Sequence, residues 1–186
     1  VTNSKTIDFK TGNVTVGNNA FSIDTDTADG GTDGANITFA GNIIGNTTGS
    51  VVSDLNFDAG AVGNVTVLGI GHDGSNPVDE INSVTLKGAL IKTNGIISTT
   101  TLTSGDPGFV TITGPLTLVG NTTIDTDTAS STTLDGNISI TGNVNATNGG
   151  DVETLTISSG AGSVDFAGLI GNAEPVSYTH LTLPTR

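Results

Sequence analysis

The stretch "FVTITGPLTLVG", residues 109–120, contains twice in succession the pattern that decides the fold. Each half consists of a leading residue, an apolar residue, a small polar residue, a second apolar residue, any residue and glycine. Apolar residues at alternate positions predict a short, half-buried β-strand. We expect the glycine after each strand to adopt a positive φ, which lets the chain turn a corner.

The same six-residue pattern recurs along the whole chain. Its six main copies start at Asn36, Asn64, Ser83, Phe109, Asn137 and Ser163, at intervals of 28, 19, 26, 28 and 26 residues. Further alternating apolar residues, such as those at Leu55 and Leu155, lie between these copies and predict a second strand per circuit. Short strands that recur at such intervals between Gly, Asn, Asp and Ser corners are typical of a parallel β-solenoid. A single coil buries too little apolar surface to offset its ordering, so the coils must stack.

A longer repeat contains the short one. Residues 23–43 align without gaps to residues 124–144, with eleven of 21 positions identical at an offset of 101. The similarity continues in residues 55–71 and 155–171 at an offset near 100. We therefore interpret residues 1–175 as a β-solenoid segment of a larger protein, with coils of 19–28 residues inside a repeat of about 100.

The alternative is a pair of tandem Ig-like β-sandwiches, because about 100 residues is the usual size of such a domain. Ig-like cores commonly contain a tryptophan and a disulfide, but this chain has no Trp and no Cys. The sandwich also fails to explain the shorter interval. The sequence therefore predicts an all-β fold, a parallel β-helix, in preference to the sandwiches.

Charge and composition limit the partners. The net charge is −13, so the phosphates of nucleic acid and an anionic membrane surface would repel the chain. No apolar run approaches the length of a membrane span, so we expect no direct membrane insertion by this segment. The chain lacks Met entirely, which predicts that it starts inside a longer reading frame.

Four acids in "DTDTADGGTD", residues 24–33, are the candidate metal ligands: Asp24, Asp26, Asp29 and Asp33. Calcium binds several oxygen ligands from a flexible loop, and is the one cofactor the sequence suggests. The spacing departs from the EF-hand, because the third acid stands at position 6 and position 12 is Ala35. The alternative interpretation is a solvated corner between two coils.

Enzyme activity is not predicted, and no residue is assigned a catalytic role. His72 lies in a polar loop without a second His or a Cys to form a site with it. A lyase needs a cationic group, and the lysines are only Lys5, Lys10, Lys87 and Lys92. A hydrolase needs two carboxylates at a suitable separation, and no distinctive motif contains such a pair. A carbohydrate-active β-helix enzyme and a calcium-stabilised exoprotein repeat are the alternative functions.

Seven Asn-Xaa-Ser/Thr triplets follow from the same repeat, because asparagine often precedes the strand and Ser or Thr is its outward residue. Asparagines at coil corners can also stack into a hydrogen-bonded ladder.

The ending "VSYTHLTLPTR", residues 176–186, differs in composition from the rest and contains the only Tyr and the only Arg. It resembles the translation of a transposase adapter used in short-read library preparation. We interpret it as a non-native tail without function, and expect the natural chain to continue from Glu174 or Pro175.

The stretches "VTITGPLTLVGNTTIDTDT" (residues 110–128), "GNISITGNV" (136–144) and "GSVDFAGLIG" (162–171) resemble the β-strand repeats of filamentous-haemagglutinin-like and autotransporter-passenger adhesins. The resemblance implies a right-handed parallel β-helix that acts as a stalk or adhesion repeat of a large bacterial protein. It also implies secretion or display on the cell surface, and binding of host or surface glycans or proteins through the full-length protein. For the segment alone, unpaired strand edges predict end-to-end self-association.

Overall fold

The computed structural model describes residues 5–17, 20–26, 32–45, 53–71, 81–100, 108–127, 135–147, 153–173 and 176–181. These residues contain seventeen β-strands and no helix. The strands are β1 Ile7–Phe9, β2 Val14–Val16, β3 Phe21–Asp24, β4 Ile37–Phe39, β5 Asn42–Gly45, β6 Ser53–Asp58, β7 Asn64–Val67, β8 Gly69–Ile70, β9 Ile81–Lys87, β10 Leu90–Ser98, β11 Val110–Thr113, β12 Leu116–Asp125, β13 Ile138–Ile140, β14 Val144–Ala146, β15 Thr154–Ser158, β16 Val164–Phe166 and β17 Ser177–Leu181.

The strands form three faces of one column. The first face contains β1, β4, β7, the first halves of β10 and β12, and β14. The second face contains β2, β5, β8, the second halves of β10 and β12, β15 and β17. The third face contains β3, β6, β9, β11, β13 and β16. The chain visits the three faces in this order and then returns to the first face one coil further along.

Every strand pairing in the described residues is parallel, and each joins one coil to the next. This arrangement confirms the β-solenoid. The tandem Ig-like sandwiches are wrong, because sandwiches of that kind are built from antiparallel pairs.

The true coil length follows from the inward residues that align on the first face. In chain order they are Ile7, Ile37, Val65, Ile91, Leu116, Val144 and Ile170. Successive members are 30, 28, 26, 25, 28 and 26 residues apart. The 19-residue interval from Asn64 to Ser83 does not measure a coil, because Asn64 belongs to the first face and Ser83 to the third. The six main copies of the pattern lie on the first and third faces, and the second face adds another strand, so each coil has three strands where the sequence predicts two.

The core is one continuous cluster of buried side chains along the column. Strand alternation turns these residues inward, and burying each aliphatic side chain contributes roughly 1.5–3 kcal/mol. In the first two coils the interior also contains stacked aromatic rings. The rings of Phe9 and Phe39 stack with centroids 4.4 Å apart, and those of Phe39 and Phe57 stack at 5.1 Å.

The glycines after the strands are needed for a different reason from the predicted positive φ. Eight glycines close copies of the pattern: Gly17, Gly41, Gly69, Gly88, Gly114, Gly120, Gly142 and Gly168. Of these eight, only Gly114 has a positive φ, at 123°. A Cβ on Gly142 would overlap the carbonyl group of Gly114, and a Cβ on Gly168 would overlap that of Gly142. Glycine is therefore required at the corner between the third and first faces, because successive coils approach too closely there for a side chain.

Asparagine side chains link the corners of successive coils. In six cases the Oδ1 atom accepts a hydrogen bond of 2.9–3.1 Å from a backbone N–H 26–33 residues further along the chain. The six are Asn13, Asn36, Asn121, Asn137, Asn143 and Asn145. Each bond satisfies a corner N–H that the strand ladders leave without a partner. These bonds run from an asparagine side chain to the backbone of the next coil, so they are not the ladder of stacked asparagine side chains that the sequence suggested, which stays a prediction.

The two copies of the long repeat occupy different faces. Ile37 lies on the first face, but Ile138, its equivalent 101 residues later, lies on the third face. Six coils span 163 residues from Ile7 to Ile170, so 101 residues make only about three and two-thirds coils. The local structure is nevertheless repeated. Thr25 Oγ1 donates to the carbonyl of Ala35 at 2.9 Å, and Thr126 Oγ1 donates to that of Gly136 at 2.7 Å.

The segment that resembles an adapter joins the column. Val176 packs against the core, and β17 pairs in parallel with β15 with one irregularity in register. An open strand edge presents unpaired N–H and C=O groups that accept any strand-forming segment. The pairing therefore follows from backbone chemistry, whatever the origin of the segment.

Replacement of a stacked glycine tests the close approach of the coils. We expect Gly142→Ala to lower the free energy of unfolding by about 1–3 kcal/mol, because the new methyl group forces two coils apart. Gly17→Ala is the matched control, because a Cβ there meets nothing within 4 Å and its φ is not positive. Urea denaturation followed by circular dichroism measures both. Equal effects of the two substitutions would contradict the stacking argument.

Candidate functional site

The corner between the third and first faces changes size along the column. The connection from β3 to β4 has twelve residues, 25–36, and the next one, from β6 to β7, has five, 59–63. The following two corners have two residues each, 88–89 and 114–115. This drop from long to short connections leaves a groove where the large corners meet the compact ones.

The groove has a volume of about 190 Å³. Its lining residues come from four successive coils and are Asp26, Gly60, Ala61, Lys87, Gly88, Ala89, Thr113 and Gly114. The charged side chains among them are one carboxylate and one ammonium. Backbone glycines and alanine methyl groups form the rest of the surface, apart from the Thr113 hydroxyl. The groove is therefore small, mixed in polarity and open to solvent.

A row of side chains in register supplies the charges. Asp24 aligns with Asp58, Asp58 with Lys87, and Lys87 with Thr113. Lys87 Nζ donates to Asp58 Oδ2 at 2.6 Å, and Asp58 Oδ1 accepts the N–H of Gly60 at 2.8 Å. The Lys87 side chain is 41% exposed, and such an ion pair contributes at most about 1 kcal/mol. Its main effect is to hold the ammonium group beside the groove.

The structure places three of the four candidate metal ligands at this corner. Asp24 Oδ1 accepts the N–H of Asp26 at 2.8 Å, which fixes the start of the long connection. The carbonyl oxygen of Asp33 accepts the N–H of Ala61 at 3.1 Å, which ties the long corner to the one below it. Asp29 lies outside the described residues. Among the residues that are described, no group of three or more acidic or histidine side chains is arranged to hold a metal. The calcium site stays a prediction.

Of the other residues singled out by sequence, Lys10 and Lys92 do not line the groove. His72 lies outside the described part of the chain. Lys10 is exposed and 4.0 Å from Asp8, and Lys92 occupies an outward position on the first face, in register with Thr66.

Sequence reasoning missed Lys87 as a functional candidate. The available signal was its distance of 29 residues from Asp58, which is one coil. The misleading 19-residue interval hid this relation, because it gave the wrong coil length at this point of the chain.

The second copy of the repeat builds a related acidic corner on the edge between the second and third faces. Asp125 Oδ1 accepts the N–H of Asp127 at 3.0 Å, as Asp24 accepts that of Asp26. Asp135 is buried, and its Oδ2 accepts the N–H of Ala161 at 2.7 Å. Burial raises the pKa of Asp125; the hydrogen bond from Asp127 opposes this, and repulsion by Asp127 and Asp135 adds to it.

No protein-family model, no curated protein and no solved structure matches the chain. None of the described residues belongs to a helix that could span a membrane.

The raised pKa of Asp125 predicts that replacing this residue by its neutral isostere, asparagine, increases stability in a pH-dependent way. Because folding disfavours the ionised form, the stability linked to this group is present at low pH and is lost as the pH rises through its folded pKa. Asp125→Asn should therefore raise the melting temperature at pH 7. The gain should vanish below the ordinary aspartate value of 3.8.

Asp165→Asn, at an exposed outward position on the third face, controls for the change in net charge. Thermal melts of the three proteins across this pH range provide the measurement. A gain that persists unchanged in acid would show that relief of the buried charge is not its cause.

Proposed function

We propose that this chain is a structural stalk segment of a large bacterial cell-surface or secreted protein. The observation that carries the proposal is the uninterrupted column: one apolar core and three ladders of parallel strands continue from the first coils to the last. Each coil adds about 4.8 Å of height. The height of such a column increases with the number of coils, so the column can hold a binding region away from the cell.

The outer surface suits a solvated stalk with weak adhesion along its faces. On the first face the outward residues in register are Thr38, Thr66, Lys92 and Thr117, so three of these four coils present a hydroxyl group at this position. The net charge of −13 favours solubility. The resemblance to filamentous-haemagglutinin-like repeats supports export and display on the bacterial surface.

A stalk should tolerate the loss of a whole coil but not of half a coil. Deletion of residues 116–143 removes 28 residues and brings Val144 into the position of Leu116, so we expect a folded, slightly less stable column. Deletion of residues 130–143 removes β13 and leaves the third face without a strand in that coil, so we expect loss of cooperative folding. Circular dichroism melts of both variants measure the outcome.

The competing enzyme function is tested on the same proteins. Incubation with acidic and neutral polysaccharides should produce no new reducing ends and no unsaturated products. If the full chain releases such products and the whole-coil deletion, although folded, does not, the chain is a carbohydrate-active enzyme and not a stalk.

The chain alone should self-associate end to end. Among the described strands, β1 and β3 at one end and β16 at the other each have a single partner. Phe21 and Phe166 at these ends are only partly buried. Because all strands point the same way, contact between the two ends is head to tail and does not close on itself.

Light scattering at increasing protein concentration should therefore show a rising mass. Phe166→Lys should suppress the rise, because a charge on an edge strand opposes pairing. Phe109→Lys, at a position 40% exposed in the middle of the column, is the control and should not suppress it. A mass that stays at one chain at every concentration contradicts the prediction.

A further inference from the structure

The groove at the corner between the third and first faces has features that the stalk does not require. It leaves an open space of about 190 Å³ beside a fixed ion pair. We propose that this groove binds one neutral pyranose unit of a glycan.

The size of the groove limits the ligand to a single small unit. Pockets for drug-sized ligands have volumes of roughly 300–1,000 Å³, and one water takes roughly 30 Å³. The groove lies between these values, and it is open rather than enclosed. A ring of one sugar residue, with the rest of the glycan outside in solvent, suits such a space.

The polar groups of the groove match the hydroxyl groups of a sugar. Asp26 supplies acceptors, Lys87 supplies donors, and the Thr113 hydroxyl can do both. A sugar hydroxyl also donates and accepts, so neighbouring hydroxyls can use these different groups together. The Asp58 carboxylate holds Lys87 at 2.6 Å, so the ammonium group is already oriented before a ligand arrives.

The apolar surface of the groove matches the C–H groups of the ring. Ala61 and Ala89 contribute methyl groups, and Gly88 and Gly114 expose backbone without side chains. Both glycines lie at corners where successive coils are too close for a side chain. The same close stacking therefore also keeps this surface free of side chains and accessible.

Charge decides between neutral and anionic sugars. Asp24, Asp26, Asp33 and Asp58 against Lys87 leave a net charge of −3 at this corner (four negative charges and one positive). This field opposes uronic acids and sulfated or sialylated sugars. A neutral unit does not meet this repulsion.

Titration of the isotope-labelled full chain with single sugars tests the proposal. The neutral probes are methyl glucoside, methyl galactoside, methyl mannoside and N-acetylglucosamine, with glucuronic acid as the anionic arm and glucosamine as the cationic arm. We expect at least one neutral probe to give saturable shifts of the amide signals of Ala61, Gly88 and Ala89, with a Kd of about 1 mM or weaker. The anionic arm should bind less tightly than that probe.

A matched pair of variants locates the site. Ala61→Leu fills the groove from an exposed position, and should weaken binding at least about tenfold without unfolding the chain. Ala161 is the equivalent exposed residue in the second copy of the repeat, so Ala161→Leu should leave the Kd unchanged.

Four results would overturn the proposal: no saturable shift with any neutral probe, shifts away from the groove, tighter binding of either charged arm, or a wild-type Kd in Ala61→Leu. None of them affects the stalk, because the coil deletions test the column independently of any ligand.

Discussion

Parallel stacking of one coil on the next is the constraint from which the other features follow. Strands in register lie about 4.8 Å apart, and this distance applies to the corners as well as to the faces. Where two corners meet, a Cβ on Gly142 finds the carbonyl group of Gly114 in its way. Where a corner N–H lacks a strand partner, an asparagine such as Asn137 reaches across to accept its hydrogen bond. Glycine and asparagine are thus abundant for reasons that exist only between coils.

The faces are uniform, whereas the corners vary. Inward positions on the faces are aliphatic along most of the column, and a change there would disturb the coils on both sides. Corner connections range from one to twelve residues without interrupting any ladder. Chemical variety therefore accumulates at the corners, where Asp58 and Lys87 form their ion pair and where the groove opens. The column provides the scaffold and leaves the corners free to differ.

The repeat in the sequence and the repeat in the structure have different lengths. A unit of 101 residues is not a whole number of coils, so its second copy starts one face away from the first. The hydrogen bonds at Thr25 and Thr126 are the same even so. This is consistent with three faces that are physically equivalent: each offers an inward apolar row and a parallel ladder, so a segment can move from one face to the next and keep its local structure.

The sequence by itself determined the local chemistry of this protein. Alternating residues such as Val110 and Ile112 define strands with one buried side, and the recurrence of the pattern identifies a solenoid. It also predicts the core positions, because these depend on a short pattern that repeats. Only the tertiary structure decided the number of strands per coil, the reason for the corner glycines and the meeting of Asp58 with Lys87. Those features depend on register between residues one coil apart, and register is set by the lengths of all the corners between them, which no local pattern encodes.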